Sequence, residues 1–164
     1  MVKGELFTDS ANSIAKIVEL FKNLNYPIEE TRQDILRLNQ LIFNKDVVNM
    51  TDIKNAQDKY VSTNPYLRFP EYDHVKVIIY YDSFISNNND GFFTPPLSID
   101  VLVPESLWLV KNTPRVLLIL QSIYNILNLA EVGAVGKLQC TKVTPLVVQD
   151  MVGYSMMFET SQYE

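Results

Sequence analysis

The sequence predicts an α+β fold: an antiparallel sheet of about four strands, a long helix packed on one face, and two additional N-terminal helices. Three observations carry this. Over roughly the first 60 residues, apolar side chains recur at spacings of three and four. From Asp73 the pattern switches to alternation, the period of a strand. Between two pairs of such strand patterns lies one long apolar helix pattern, opened by Thr113-Pro114. In a chain of 164 residues and 18.9 kDa these segments make a single domain over 1–164, with a helical part at 1–60 and a sheet-and-helix part at 65–160.

The first helix reads from Thr8-Asp9-Ser10, any of which can serve as its cap. Ile14, Ile17, Val18, Phe21 and Leu24 form its apolar stripe, and Asn25-Tyr26-Pro27 stops it. Pro27 suits the start of the second helix, with Glu29, Glu30 and Asp34 near its positive end. Ile35, Leu38, Leu41 and Ile42 are the buried side, and Asn44-Lys45-Asp46 the end. Thr51 reads as the cap of a short helix reaching Tyr60, and Asn64-Pro65 and Phe69-Pro70 as extended or turn structure.

Val75, Val77, Ile79 and Tyr81 alternate with Lys76, Ile78, Tyr80 and Asp82. Apolar groups on both faces mark a central strand. The segment 85–96 follows, too long for a tight hairpin and too polar for the interior. A second strand runs from Leu97 to Val103. In the helix that follows, Thr113 reads as N-cap and Pro114 as first residue, with Val116, Ile119, Leu120, Ile123, Ile126 and Leu127 as core. Two more strands, Lys137 to Thr144 and Val152 to Glu159, join around Pro145 to Asp150. Leu138 and Cys140 share one face, and Tyr154, Met156 and Phe158 another. Residues 160–164 read as a frayed tail.

Composition narrows the function. One His and one Cys exclude an intrachain disulfide and most metal and triad chemistry. His74 reads as a strand-edge histidine and Cys140 as a small buried hydrophobe. Asp73, Asp82, Asp90 and Asp100 have no calcium-loop spacing and read as solvated acids. Gly133-Ala-Val-Gly136 follows a helix and reads as its cap, not as a phosphate loop. The reading is therefore not an enzyme, with no cofactor and no metal. A net charge of −5, with Lys and Arg scattered, argues against sequence-specific nucleic-acid binding. Apolar runs are too short for a membrane span, and the N-terminus lacks a signal-peptide core, so a cytoplasmic setting is expected.

What remains is surface. Lys111-Asn-Thr-Pro-Arg115 puts two cations at a helix start, where an anion or a partner's carboxylate can bind. Trp108 just before it is a core or interface anchor. Phe92 and Phe93 end a polar loop, and neighbours on extended chain point to opposite sides, so one of them is expected to face a partner. Phe92, Phe93, Trp108, Lys111 and Arg115 are the candidate interface residues. Replacing both phenylalanines by serine is expected to leave the fold intact and block assembly.

The strand Leu97-Ser-Ile-Asp-Val-Leu-Val, running through Pro104-Glu-Ser-Leu-Trp108 into the Pro114/Arg115 helix, resembles a group of virion neck proteins of tailed bacteriophages, crAss-like phages included. The Tyr66-Leu-Arg-Phe69 run and the Gly153-Tyr-Ser-Met-Met-Phe158 strand fit the same pattern, so the resemblance covers about 65–160. It implies a tail-terminator-like fold and a structural virion protein, a ring of the head–tail connector or neck in 6 or 12 copies. The implied partners are further copies of the chain and adjacent portal, connector or tail proteins, with assembly in the bacterial host cytoplasm. The N-terminal helices depart from the shortest terminators. The competing expectation is a small cytoplasmic adaptor that binds one protein without forming rings.

Overall fold

Apolar groups on both sides of Leu97–Pro104 require cover on both faces, and all eight residues are buried. The computed structural model describes residues 6–56, 61–63, 74–82, 86–87, 91–92, 95–131 and 136–161. Along the chain these form α1 (Leu6–Lys22), α2 (Glu29–Phe43), α3 (Met50–Ala56), β1 (Val61–Ser62), β2 (Lys76–Tyr81), β3 (Ser86–Asn87), β4 (Gly91–Phe92) and β5 (Leu97–Pro104). A 3-10 turn (Glu105–Leu107), β6 (Leu109–Val110), β7 (Thr113–Pro114), α4 (Arg115–Leu127), β8 (Lys137–Val148) and β9 (Met151–Ser161) follow.

The fold is α+β, as expected. The main sheet has five strands in the order β1-β2-β5-β9-β8, one more than anticipated, because the short β1 adds a parallel pair to β2. All other pairings in it are antiparallel. One row of partners crosses four strands: Ile79, Ile99, Met156 and Val143. Helices cover this side. Ile17 and Phe21 of α1, Ile35 and Leu38 of α2, and Val116, Ile119 and Ile123 of α4 join Val77, Ile79, Ile99 and Val101 in one core. Asn39, buried inside α2, secures α1: its amide donates to the Phe21 carbonyl at 2.7 Å and to the Ile35 carbonyl at 2.8 Å. The opposite side of the sheet is also buried around Ile78, Leu102 and Met151.

Several boundaries differ from the sequence reading. Thr8, Asp9 and Ser10 lie inside α1, which starts at Leu6, and Ser13 Oγ bonds back to the Asp9 carbonyl at 3.0 Å. Pro27 lies outside α2, whose cap is the extended Ile28. Asn49, not Thr51, caps α3. Its side chain accepts from Asp52 N–H at 2.9 Å, while Asp52 accepts from Asn49 N–H at 3.0 Å. Thr113-Pro114 does not begin α4 by side-chain capping. It pairs with Leu109–Val110 as a small hairpin turned by Lys111 and Asn112, both at positive φ (48° and 69°).

β8 passes through Pro145 to Val148, and the turn to β9 is only Gln149-Asp150. Proline is tolerated there because β8 is an edge strand, where one row of N–H groups has no ladder partner. Cys140 pairs directly with Phe158, so Leu138, Cys140, Met156 and Phe158 occupy one helix-covered face, not two. A register irregularity between Cys140 and Lys142 then shifts the outer strand. The 85–96 segment contains a short antiparallel pair, Ser86–Asn87 with Gly91–Phe92. The Asn64-Pro65, Phe69-Pro70 and Tyr66–Phe69 readings, the helix end at Tyr60, Asp73, Asp90, Gly133 and residues 162–164 lie outside the described residues.

Candidate functional site

The end of α2 and the start of α4 meet around one buried cation. Asn44 closes α2 in the left-handed conformation (φ 55°), which turns the chain and brings its side chain toward α4. Arg115, only 5% exposed, reaches into this corner from the first residue of α4. Its Nε–H donates to the Leu107 carbonyl (2.6 Å), one terminal nitrogen to the Leu41 carbonyl (3.0 Å) and the other to Asn44 Oδ1 (3.0 Å). The Arg115 backbone N–H also donates to the Trp108 carbonyl at 2.6 Å. Every one of these acceptors is neutral. Burial pulls the guanidinium down from its ordinary pKa, with no carboxylate among the described residues acting against it.

Beside this corner opens a cleft of about 700 Å³, lined by Arg37, Lys45, Lys111 and Arg115 among others, with Asp46 as its acid. Leu41, Val110 and Leu118 supply its apolar wall. Lys45 is paired with Asp52 at 3.0 Å. The Asn49 N–H bond first, and Lys45 second, hold Asp52 below the usual carboxylate range. Arg37 and Lys111 are exposed at the mouth. A basic cleft in a chain of net charge −5 is suited to a carboxylate-bearing partner, held by a cluster of cations around an apolar floor.

A second polar group lies on the other side of the sheet. Tyr80 Oη donates to Asp100 Oδ2 at 3.0 Å, while Asp100 Oδ1 is buried without a partner. Asp100 was expected to be solvated. It is 8% exposed, because the face around Ile78 and Leu102 is itself buried. Desolvation raises its pKa, against the Ser155 and Tyr80 hydroxyls that lower it. The Tyr80 hydroxyl is raised strongly, first by desolvation and then by Asp100. Nothing nucleophilic is activated by this arrangement: both groups are driven toward their neutral forms. No group of three or more His, Cys, Asp or Glu suited to a metal ion occurs among the described residues.

The sequence candidates fall into different places. Trp108 is partly buried against the core, and Lys111 is exposed at the hairpin tip. Arg115, expected on the surface, is inside, because three neutral acceptors surround its guanidinium. Lys111 and Arg115 line one cleft. The Phe92 backbone lies in β4, and Phe93 lies outside the described residues. His74 is half-buried just ahead of β2, and Cys140 is half-buried, its thiol pushed up in pKa by burial. Sequence reading missed Arg37, Lys45 and Asn44. The available signal was the cations Arg37 and Lys45 in the second half of the second helix and just past its end.

No helix among the described residues is long and apolar enough to cross a membrane. No curated protein matches the chain. Residues 18–160 match the family model described as YomW, a name taken from a phage gene, which points to a phage-encoded protein. The match runs over far more than half of the sequence, and the chain belongs to the YomW family.

Proposed function

We propose that this protein is a structural subunit of a tailed-phage virion, assembling as a ring in the head–tail connector or neck and contacting portal, connector or tail proteins. The observation that supports it most is the outer β8–β9 ribbon. Val143, Pro145 and Val147 share one face of β8, and Val147 pairs with Val152. Val147 is 70% exposed, Val143 45% and Val152 39%. An apolar strip of this kind along the outer margin of the five-stranded sheet is suited to an interaction surface. The edge itself is blunted by Lys137, Lys142, Pro145 and the register irregularity, so a partner packs on the face and does not extend the sheet.

The strip and the basic cleft are chemically different surfaces, so a subunit can meet further copies of itself through one and a neighbouring connector or tail protein through the other. The reading also rests on the resemblance of 65–160 to phage neck proteins, and membership in a family with a phage-gene name supports the phage origin. Mass photometry and negative-stain imaging, of the protein alone and mixed with its portal or tail partner, test it. Closed rings are expected. A protein that stays monomeric in both settings overturns the reading, and a 1:1 complex through the cleft would put an adaptor in its place.

A further inference from the structure

The two ends of α2 are opposite in character. At its start, Ile28 is 56% exposed, and Glu29 and Glu30 beside it are exposed with no described hydrogen bond or ion pair. At its end lies the cleft with Arg37, Lys111 and the buried Arg115, while Lys45 and Asp52 neutralise each other. Arg115 uses three of its five N–H groups on neutral acceptors, which leaves two donors; Asp46 lines the same cleft, but no ion pair to Arg115 occurs among the described residues. An uncompensated buried charge is costly, and an incoming carboxylate relieves that cost.

We propose that the cleft receives the Ile28-Glu29-Glu30 corner of a second copy of this chain, making a head-to-tail contact. The inference rests on the ring reading and names the surfaces that would build it. A 15-residue helix is about 22 Å long, so the two ends of α2 cannot meet within one molecule. Between molecules they are complementary. The two glutamates face Arg37, Lys111 and the free donors of Arg115, and the Ile28 side chain covers Leu41, Val110 and Leu118. Two distinct patches that meet each other between copies generate a closed ring or a filament, not a two-fold dimer. The net charge of −5 argues against nucleic-acid phosphate as the occupant.

The test uses full-length chains that reverse only exposed groups: Arg37→Glu/Lys111→Glu in the cleft and Glu29→Lys/Glu30→Lys at the corner. Folding is checked by circular dichroism and the thermal midpoint, and assembly by mass photometry. Each variant alone is expected to self-associate roughly hundredfold more weakly, since like charges are then juxtaposed. Mixing the two variants restores assembly, because each acidic surface again meets a basic one. Glu29→Gln/Glu30→Gln, which places no cation at the helix start, weakens assembly about tenfold. Folded variants that form wild-type rings overturn this contact and leave the ring reading standing. Assembly lost in both variants and not restored on mixing also overturns it. Wild-type protein that stays monomeric with its portal or tail partner present overturns the contact and the ring reading together.

Discussion

β5 and β8 belong to the same sheet and obey opposite rules. β5 is buried at every position, with α4 on one face and the Ile78–Leu102–Met151 cluster on the other. β8, with β9 between them, leaves most of its residues exposed or half-buried. Along the row Ile79, Ile99, Met156 and Val143, exposure runs 0%, 0%, 1% and then 45%. Burial therefore ends between β9 and β8. The inner strands hold the fold, and the outer strand offers surface.

Substitutions break this comparison in a definite order. Gly153 on β9 pairs with Leu102, and a Cβ there would be driven into the Val101 carbonyl, 2.8 Å from its carbon. Gly153→Val is expected to cost about 4 kcal/mol or more, or to prevent folding, as read by urea denaturation. Ile99→Ala opens a cavity in the fully buried β5 and is expected to lower stability by about 2–5 kcal/mol in the same assay. Arg115→Met removes three hydrogen bonds and leaves the Leu41 and Leu107 carbonyls to find others. A loss of about 3 kcal/mol is expected, whereas exposed Lys111→Ala changes stability by less than about 0.5 kcal/mol.

Asp100 gives a smaller, pH-dependent effect. Its folded pKa is raised above the unfolded value, so the native state keeps the proton longer. Stability therefore falls as pH rises from the ordinary carboxylate value, about 3.9, to the raised native value, and stays lower above it. Asp100→Asn is expected to flatten that slope and to gain on the order of 1 kcal/mol at neutral pH, because Tyr80 and Ser155 can still donate to the amide oxygen. Thermal midpoints against pH check this. A flat wild-type profile over that window would show that Asp100 ionises freely. Val147→Ser sits at the far end of the scale. It is expected to shift stability by less than about 0.5 kcal/mol while reducing assembly, which marks the ribbon as surface.

The parts of the fold that were readable from sequence are those set by periodicity. Ile35, Leu38, Leu41 and Ile42 on α2, and Val116, Ile119, Ile123 and Leu127 on α4, are buried as their spacing requires. The two-sided apolar character of β2 placed it inside the sheet. Local signals misled where strand pairing outweighed them. Thr113-Pro114 has the composition of a helix cap, but β6 captures it as a strand. Pro145 has the composition of a break, but an edge strand does not need its N–H.

The candidate site was half legible. Lys111 and Arg115 stood out as cations at a helix start, but nothing local shows that Arg115 turns inward. Its bond to Asn44 spans 71 residues and exists only once α2 and α4 are packed side by side. By itself the sequence determined which residues are apolar, at what period, and where helix and strand alternate, because those follow from nearest-neighbour geometry and transfer from water. Only the tertiary structure decided which cation is buried, which strand is the edge, and which two segments form a cleft. Those depend on contacts between residues far apart in the chain.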